Sequence, residues 1–344
     1  MLSPATLDSI DDLIRRLLAE QRVPGATIAI IQDSEPLFVR GYGFADLENQ
    51  IRTEPETVYQ IASLTKQFVA MLILMLSHEK LLHLDDPISK WFPEGPASWS
   101  MISVRHLMAH LSGIDDAPMD ALDDQRDYSQ DEMASTIASK PLLCPPGTIW
   151  MYCNSGYVLL GILIHRIAGK HWGDVMRERI FDPLGMASAR IYDEIADPNR
   201  AVGYEMIGGK PEIQSWITPS HNTLADGGLL MSANDFIAWS AALGSETLLP
   251  TRVLQQLWQP VTFRDGKPAG TPSHRFGLGW MLPTHKGLPR MAQHEGAWQG
   301  FSTYIGRLLE SQLTVVVLTN LDDEFSHPGV IGRDILKTLL SKIA

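Results

Sequence analysis

The positions of strand-like segments along the chain limit the folds that it can adopt. Such segments occur at 26–31 and 37–44 near the amino terminus, where the turn residues 32–35 between them predict a hairpin. Further strand-like segments occur at 277–280, 301–305 and 313–319 near the carboxyl terminus. The middle of the chain carries helical patterns separated by Pro and Gly clusters. We therefore expect one sheet assembled from both ends of the chain, with the helical middle inserted between them.

This interleaved order predicts an α+β fold with two domains. We expect residues 1–64 and 215–344 to form a discontinuous sheet domain, in which helices flank the strands. Residues 65–214 are expected to form an inserted, mostly helical domain, with an active site at the junction. A length of 344 residues accommodates two domains of about 150 residues each.

Composition narrows the class of protein further. The hydrophobic fraction of 44% excludes a disordered chain, because there is enough apolar surface to offset the entropy of ordering. The formal net charge is −12, which argues against nucleic acid as a partner, since phosphate backbones attract basic surfaces. The longest apolar run, 68–76, is too short for a membrane span, which needs about 20 residues.

The sequence constrains the cellular compartment of the protein less than it constrains the class of protein. The amino terminus has no basic region followed by an apolar stretch, so we expect no signal peptide within this chain. Cys144 and Cys153 cannot form a disulfide framework. These features fit a cytoplasmic protein, or a periplasmic or secreted one from which a signal peptide has been removed. The oligomeric state stays open.

The histidine spacings do not favour a metal site. His78 and His83 are five residues apart, whereas the zinc helix motif needs four to place both on one face. His106 and His110 have the right spacing, but no nearby Glu or third ligand accompanies them, which favours packing or capping. We expect no metal and no cofactor, and the chain also lacks the glycine-rich phosphate and dinucleotide motifs.

The motif Ser63-Leu-Thr-Lys66 is the strongest candidate for chemistry. It precedes a segment, 67–82, that is apolar nearly all round and therefore predicts a buried helix. Ser63 would open this helix, where free backbone N–H groups and the positive helix end stabilise an alkoxide. Lys66 would lie one turn later on the same face, where burial disfavours the ammonium form and allows the amine to accept a proton. A second match, Ser77-His-Glu-Lys80, falls at the opposite end of the helix, where the dipole has the wrong sign.

Two other motifs carry groups that would complement such a nucleophile. Tyr152-Cys-Asn154 supplies a hydroxyl that can act as a general base beside a lysine, and an amide that can bind a substrate carbonyl. His294-Glu-Gly296 opens a strand-like run that includes Trp298. A glycine on an edge strand lets a substrate backbone approach, and the next N–H can point at an oxyanion.

Together these segments resemble the serine β-lactamase and penicillin-binding-protein superfamily. The resemblance is to the branch that contains class C β-lactamases, D-Ala-D-Ala carboxypeptidases, D-aminopeptidases and related esterases, and it covers nearly the whole chain. The motifs occur in the family's order: Val23-Pro-Gly-Ala, Phe44-Ala-Asp, Tyr59-Gln-Ile-Ala-Ser-Leu-Thr-Lys, His106-Leu-Met-Ala-His-Leu-Ser-Gly, Pro146-Gly-Thr, Tyr152-Cys-Asn-Ser-Gly-Tyr, Pro183-Leu-Gly-Met, Gly227-Gly-Leu and Gly277-Leu-Gly-Trp. It implies the β-lactamase/transpeptidase-like fold, with an antiparallel sheet.

The resemblance also implies a role for each site residue. Ser63 corresponds to the acylated nucleophile, and Lys66 and Tyr152 to the groups that manage its proton and protonate the leaving group. Asn154 would orient the acyl amide. The strand from His294 to Gly296, with Trp298 beyond it, would bind the far side of the substrate. The N–H groups of Ser63 and Ala297 would form the oxyanion hole.

One departure from the family bears on the substrate. Family members that bind a carboxylate tightly often carry Lys-Thr-Gly where this chain has His-Glu-Gly, and a neutral imidazole holds a carboxylate less firmly than an ammonium does. We therefore expect a serine hydrolase whose partner is a small-molecule or short-peptide substrate, with small esters and D-amino-acid peptides or amides ranked above β-lactams. The alternatives are a class C-like β-lactamase or penicillin-binding protein, acyl transfer to an acceptor other than water, and a non-catalytic ligand-binding module on the same fold.

Overall fold

Both ends of the chain contribute strands to one large sheet. The structure, a computed structural model, describes residues 2–123, 125–191, 197–214, 225–284, 289–323 and 326–343. The strands are β1 (Gly25–Gln32), β2 (Glu35–Asp46), β3 (Ile51–Arg52), β4 (Val58–Gln60), β5 (Arg190–Ile191), β6 (Tyr204–Ile207), β7 (Lys210–Ile213), β8 (Leu229–Ser232), β9 (His274–Phe276), β10 (Met281–Pro283), β11 (Met291–Trp298), β12 (Phe301–Leu308), β13 (Leu313–Thr319) and β14 (Leu321–Asp322).

Eight of these strands form an antiparallel sheet in the order β3-β2-β1-β13-β12-β11-β10-β9. The first and last thirds of the sequence meet where β1 pairs with β13. Two three-stranded sheets, β4-β8-β5 and β14-β6-β7, complete the strand content of the described residues. The α+β architecture with an antiparallel sheet is therefore confirmed. Because β5, β6 and β7 lie within 65–214, the middle of the chain also contains strands, and the division into two domains stays a prediction.

The helices lie between the strands and at both ends of the chain. They are α1 (Pro4–Glu20), α2 (Thr65–His78), α3 (Val104–Met108), α4 (Ala117–Asp120), α5 (Gln130–Ala138), α6 (Asn154–Ala168), α7 (Trp172–Met176), α8 (Asp182–Leu184), α9 (Ala233–Leu243), α10 (Thr251–Leu254) and α11 (Pro328–Ile343). Short 3-10 turns cover Ala62–Leu64, Ile88–Lys90, Ala97–Met101 and Gln255–Trp258, and Arg177–Phe181 forms a π turn. No helix among the described residues has the length and hydropathy needed to cross a membrane.

The central sheet separates two hydrophobic cores. Alternate residues of β1 point to opposite faces, so that Ile28 and Ile30 pack with α1 and α11, whereas Ala29 and Ile31 join the core that contains α2 and α6. This alternation explains why β1 is buried along nearly its whole length. The candidate site lies on the α2 face of the sheet.

The amino-terminal hairpin has the predicted form. β1 and β2 are joined by Asp33 and Ser34, whose φ angles of 50° and 72° identify a turn that requires left-handed residues at both central positions. Asp tolerates this conformation better than most residues because its short side chain bonds locally. The hairpin predicted over 26–44 is confirmed.

The predicted buried helix ends earlier than its apolar pattern suggested. Every residue of α2 from Thr65 to Leu76 is buried, but the helix stops at His78 rather than at residue 82. Lys80 takes a φ of 64°, and the N–H of Leu81 donates to the carbonyl of Leu76. This αL cap is normally formed by glycine, so a lysine at this position does not predict the end of the helix.

The strand predicted at 277–280 is wrong. These residues form the connection between β9 and β10, and Gly279 has a φ of 74°. A Cβ at this position would lie 2.9 Å from the carbonyl oxygen of Lys66 and 2.9 Å from the Cβ of Ala70. The Gly-Leu-Gly-Trp segment therefore provides close packing against α2, which an alternating pattern alone does not distinguish from a strand.

Candidate active site

Ser63 lies in a strained turn at the start of the buried helix. It occupies the 3-10 turn Ala62–Leu64 and therefore precedes α2. The prediction that Ser63 is itself the first residue of the helix is wrong. Ala62 has a φ of 48°, a conformation that costs a non-glycine residue about 1–2 kcal/mol. The hydroxyl of Thr303, on β12, donates to the carbonyl of Ile61 at 2.9 Å and fixes the turn against the sheet. Ser63 is consequently presented, half-buried, by backbone that the surrounding strands hold in place.

Lys66 contacts Ser63 directly. Its side chain is fully buried, and Nζ lies 3.0 Å from the Oγ of Ser63 and 2.7 Å from the carbonyl oxygen of Asp226. Among the described residues no carboxylate oxygen lies within ion-pair distance of Nζ. Burial raises the pKa of the Asp226 carboxyl group, and the positive charge of Lys66 opposes that rise. The amine therefore contacts the serine hydroxyl, and no salt bridge with a described carboxylate draws it away from Ser63.

Tyr152 stands over the same amine. The Nζ of Lys66 lies 5.0 Å from the centroid of the Tyr152 ring, whose side chain is 38% exposed. The ring stacks on His110 with centroids 4.4 Å apart and an interplanar angle of 25°. Tyr152 thus connects the buried lysine to the solvent-accessible side of the site.

His110 supports Tyr152 as a neutral ring. The backbone N–H of Cys153 donates to its Nδ1 at 3.1 Å, so this nitrogen carries no proton. Burial, with the charge of Lys66 second, holds the pKa of His110 well below its usual range. The spacing of His106 and His110 had predicted packing or capping, and the structure assigns both uses: His106 closes the capping box of α3, and His110 packs beneath Tyr152.

Asn154 begins helix α6, and a distant carboxylate caps that helix. Cys153 occupies the cap position but its side chain makes no capping bond. The backbone N–H groups of Asn154 and Ser155 instead donate to the two oxygens of Asp116, at 2.7 and 2.8 Å. The thiol of Cys153 lies 3.3 Å from the same carboxylate. Asp116 therefore fixes the backbone that carries Tyr152 and Asn154.

Asp116 is a positioning residue that the motifs did not reveal. Asn and Ser are good cap residues, but Asn154 and Ser155 lie inside the helix at its first two positions, so neither caps it. A helix without its own cap needs a partner from elsewhere in the chain. Which aspartate supplies it could not be read from the sequence. The Oδ1 of Asn154 is buried and has no hydrogen-bond partner among the residues that the structure describes, which leaves an acceptor free at this position.

Strand β11 packs its backbone against the serine turn. A Cβ on Gly296 would lie 3.0 Å from the N of Ser63 and 2.6 Å from the carbonyl oxygen of Ile61. Only glycine permits this approach. Ala297 and Trp298 continue the same strand, where they pair with Ser302 and Phe301. Ala297 is exposed and Trp298 is partly exposed.

His294 lies on the same strand and is buried. Its Nδ1 donates to the carbonyl of Glu295 at 2.7 Å, which leaves Nε2 as an acceptor. Burial, followed by the charge of Lys66, lowers the pKa of His294 to about 4. The ring centroid lies 6.3 Å from that of Tyr152. His294 is therefore neutral at physiological pH.

Glu295 does not face the site. Strand alternation places it on the opposite face of the sheet, where its carboxylate pairs with Arg333 of α11 at 2.7 Å. It therefore does not repel a substrate anion. Cys153 is buried, and burial raises the pKa of its thiol. Both cysteines are free, and within the described ranges no cluster of three or more His, Cys, Asp or Glu side chains could hold a metal ion.

Comparison with known proteins agrees with this arrangement. Residues 10–338 match the Beta-lactamase family, so the chain belongs to that family, within the serine β-lactamase and penicillin-binding-protein superfamily. The resemblance stated from the motifs is thereby confirmed, and so are the fold and the superfamily of serine hydrolases.

Individual relatives are distant but match over nearly the whole chain. Penicillin-binding protein 4* of Bacillus subtilis is 24% identical over 91% of this chain, and protein flp of Staphylococcus aureus is 27% identical over 92%. The chain spans 72% of the first relative's length and 63% of the second's.

Solved structures show the same fold. The octameric penicillin-binding protein homologue from Pyrococcus abyssi superposes with a TM-score of 0.86 at 26% identity, over 97% of this chain and 77% of that one. D-amino acid amidase from Ochrobactrum anthropi, complexed with L-phenylalanine, gives 0.83 at 25% identity, over 98% and 100%.

Proposed function

We propose that the chain is a serine hydrolase that cleaves an ester or amide bond through an acyl-enzyme on Ser63. The observation that carries this proposal is the 3.0 Å contact between the Oγ of Ser63 and the fully buried Nζ of Lys66. A nucleophile within hydrogen-bond reach of a proton acceptor is the arrangement that activates a serine.

The reaction has two halves. In acylation, Oγ of Ser63 attacks the carbonyl carbon while its proton passes to the pair formed by Lys66 and Tyr152. The same pair then returns the proton to the departing alcohol or amine as the bond to the leaving group breaks. In deacylation, water gives a proton to this pair and attacks the ester carbon. The bond from that carbon to the Oγ of Ser63 then breaks, the pair returns the proton to Oγ, and the acid is released. Which of the two side chains is the base stays open.

The backbone around Ser63 supports a role in charge stabilisation. The strained Ala62 turn places the Ser63 N–H beside the backbone of Gly296. We assign the N–H groups of Ser63 and Ala297 to the oxyanion that develops on the substrate carbonyl. An oriented pair of backbone donors of this kind contributes about 3–4 kcal/mol for each donor.

The neutral state of His294 favours particular substrates. Since the pKa of His294 is lowered to about 4, it brings no positive charge to the site at neutral pH. A carboxylate beside the scissile bond would therefore form no ion pair with His294. We therefore rank small esters and D-amino-acid amides or peptides above β-lactams, in keeping with the similarity to D-amino acid amidase.

The similarity to penicillin-binding protein 4* supports one alternative, a class C-like β-lactamase or penicillin-binding protein. A β-lactam acylates the same serine, so the two proposals differ in turnover and not in the nucleophile. A non-catalytic binding module on this fold would keep ligand binding but form no covalent adduct. Acyl transfer would show as a product that depends on an added acceptor.

The test combines covalent labelling with a substrate panel. The protein is treated with a fluorophosphonate or a penicillin and the adduct is located by mass spectrometry. Turnover is measured with p-nitrophenyl esters, D-amino-acid amides, D-Ala-D-Ala peptides and nitrocefin. We expect one adduct on Ser63 and the highest kcat/KM on esters or D-amino-acid amides.

Two serine variants make the test specific. Ser63→Ala should abolish labelling and turnover. Ser77→Ala, in the second Ser-x-x-Lys at the carboxyl end of α2, is the matched control and should leave both unchanged. Full esterase activity in Ser63→Ala would overturn the proposal. Efficient nitrocefin turnover above the esters would overturn the substrate ranking alone.

A further inference from the structure

Arg307 is a buried cation whose hydrogen-bond acceptors in the described part of the chain are all neutral groups. It lies on β12 with 2% of its surface exposed. Its Nη1 donates to the hydroxyl oxygens of Thr314 at 2.9 Å and Ser240 at 3.0 Å, and lies 3.3 Å from the carbonyl oxygen of Ser240. All of these acceptors are neutral, and within the described residues no carboxylate forms an ion pair with this guanidinium.

The other edge of the guanidinium is almost unused. Within the described ranges Nε has no hydrogen-bond partner, and Nη2 has one long contact, 3.4 Å, to the amide oxygen of Gln312. Nε and Nη2 together form an edge of arginine that grips both oxygens of a carboxylate. Burial lowers the pKa of Arg307 to about 10, so the side chain remains charged at neutral pH.

A cavity of about 390 Å³ adjoins this edge. Gln312 and Gly244 both line it, and Nη2 would lie 3.1 Å from a Cβ on Gly244, so Nη2 stands at the cavity wall. Part of the lining is apolar, namely Leu243, Leu254, Trp258 and Leu309. A cavity of this size and mixed character suits a small ligand.

The charges near Arg307 include one carboxylate, Asp33, which raises the pKa of Arg307 against the effect of burial but forms no ion pair with it in the described part of the chain. The carboxyl end of α9 offers only the partial negative charge of its last carbonyls, including that of Ser240. Arg290 and Glu310, which also line the cavity, lie 3.7 Å apart and offset each other. A buried cation that lacks a counter-ion is costly, and unsatisfied donors at such a position call for an explanation.

We propose that this cavity binds a small carboxylate, with the head group on Arg307 and an apolar body against Trp258 and Leu254. None of the residues assigned to catalysis lines the cavity, so this is a second site, independent of the function proposed for Ser63.

Thermal unfolding and titration calorimetry test the proposal on the whole chain. The probes are acetate, butyrate and benzoate at millimolar concentration, with chloride at equal ionic strength as the reference and inorganic phosphate as a comparison. We expect butyrate or benzoate to raise the Tm by a few degrees over chloride, because a ligand that binds only the native state stabilises it.

Gln312→Glu provides the sharpest variant. It places a carboxylate where an amide oxygen now lies 3.4 Å from Nη2, so the protein supplies its own counter-ion. We expect a higher Tm without any ligand and no further rise with butyrate or benzoate. Arg307→Gln should also lose the response, and Arg333→Gln, at an ion pair on the far side of the sheet, should keep it.

Three results would overturn the proposal. The first is a wild-type protein whose Tm is the same in carboxylate and chloride. The second is a response that persists in Gln312→Glu. The third is stabilisation by phosphate without stabilisation by any carboxylate, which would contradict the class of ligand. Because Ser63 chemistry is not read in this experiment, its failure leaves the proposed hydrolase function untouched.

Discussion

At the scale of single residues, Lys66 decides what the site can do. Its amine is buried, lies 3.0 Å from Ser63, and has a backbone carbonyl as its other acceptor. We predict that Lys66→Met and Tyr152→Phe each lower kcat for the best ester or amide substrate by about 10²–10⁴-fold, the usual contribution of a positioned proton-transfer group. Both substitutions approximately preserve volume.

The matched control for this prediction is Lys80→Met, in the exposed second motif at the end of α2. Its kcat should equal that of the wild type. Thermal unfolding and far-ultraviolet circular dichroism establish that the variants are folded. If Lys66→Met and Tyr152→Phe both retain near-normal rates, the proton relay is refuted. If only one of them does, the other side chain is identified as the base.

His294 links the site to the stability of the protein in acid. Its pKa is lowered to about 4 in the native state, against a usual 6.5, so the unfolded state binds more protons between these values. The contribution of His294 to the free energy of unfolding is therefore fully present above pH 6.5 and declines as the pH falls toward 4. The loss from this group amounts to roughly 3 kcal/mol.

The measurement is urea unfolding across this pH range for the wild type and His294→Gln. We predict a shallower decline in the free energy of unfolding for the variant. The slope should not vanish, because the pKa of His110 is lowered in the same direction. Parallel curves for the two proteins would show that His294 does not titrate with folding.

Sequence reasoning found the site residues whose relation is local. Ser63 and Lys66 are three residues apart at a helix start, so their contact follows from helix geometry alone. The stacking of Tyr152 on His110 joins residues far apart in the chain, and the neutral state of His294 depends on burial among distant elements. Neither can be read from spacing. The Tyr-x-Asn and His-x-Gly motifs supplied Tyr152 and His294 as candidates, but not the groups that hold them.

At the scale of elements, the cap of α6 controls the Tyr-x-Asn segment. Asp116 accepts the first two N–H groups of the helix, and it belongs to another part of the chain. We predict that Asp116→Ala destabilises the protein by about 1–2 kcal/mol, as for other lost caps. It should also lower kcat about tenfold to a hundredfold, because small displacements of Tyr152 and Asn154 misalign the reacting groups.

A merely structural role for Asp116 would reduce the amount of folded enzyme but leave kcat per folded molecule unchanged. Active-site titration with a fluorophosphonate therefore separates the two readings. Asp116→Asn keeps one acceptor and should recover part of the activity. Asp115→Ala is the control and should leave kcat unaltered, since among the described residues that neighbouring carboxylate accepts a hydrogen bond from the nearby Ala117 N–H alone.

Element boundaries show where local patterns fail. The apolar pattern of α2 continues past the end of the helix. Lys80 adopts a left-handed conformation there, which a lysine in the sequence does not predict. The 277–280 segment resembles a strand in composition, yet Gly279 is required for contact with α2. In both cases tertiary packing overrides a correct local preference. The hairpin at Asp33 and Ser34 was predictable because turn chemistry fixes it locally.

At the scale of the whole molecule, the sheet separates the candidate site from a second hydrophobic core on its opposite face. Strands from both ends of the chain meet at β1 and β13, and the helices α1 and α11 cover the face opposite the candidate site. Glu295 shows how strict this division is, since one step along β11 from His294 moves the side chain to Arg333 of α11. Because side chains alternate along a strand, β11 carries site residues on one face and contacts α11 on the other. We call the core that α1 and α11 form on this second face the rear core.

This division predicts that the rear core can be weakened without loss of catalysis. Ile335 of α11 is fully buried in that core, and Ile335→Ala removes side-chain packing on the face away from Ser63. We expect a loss of about 2–5 kcal/mol in the free energy of unfolding, as for other buried Ile-to-Ala changes. Under conditions where the variant remains folded, kcat/KM should match the wild type. The control is Val330→Ala, at a position 36% exposed on the same helix. It should change the free energy of unfolding by no more than a few tenths of a kcal/mol and leave kcat/KM unaltered.

A fall in kcat/KM for Ile335→Ala that exceeds the loss of folded protein would contradict this prediction. It would show that α11 transmits strain through the sheet to His294, and that the two cores act as one.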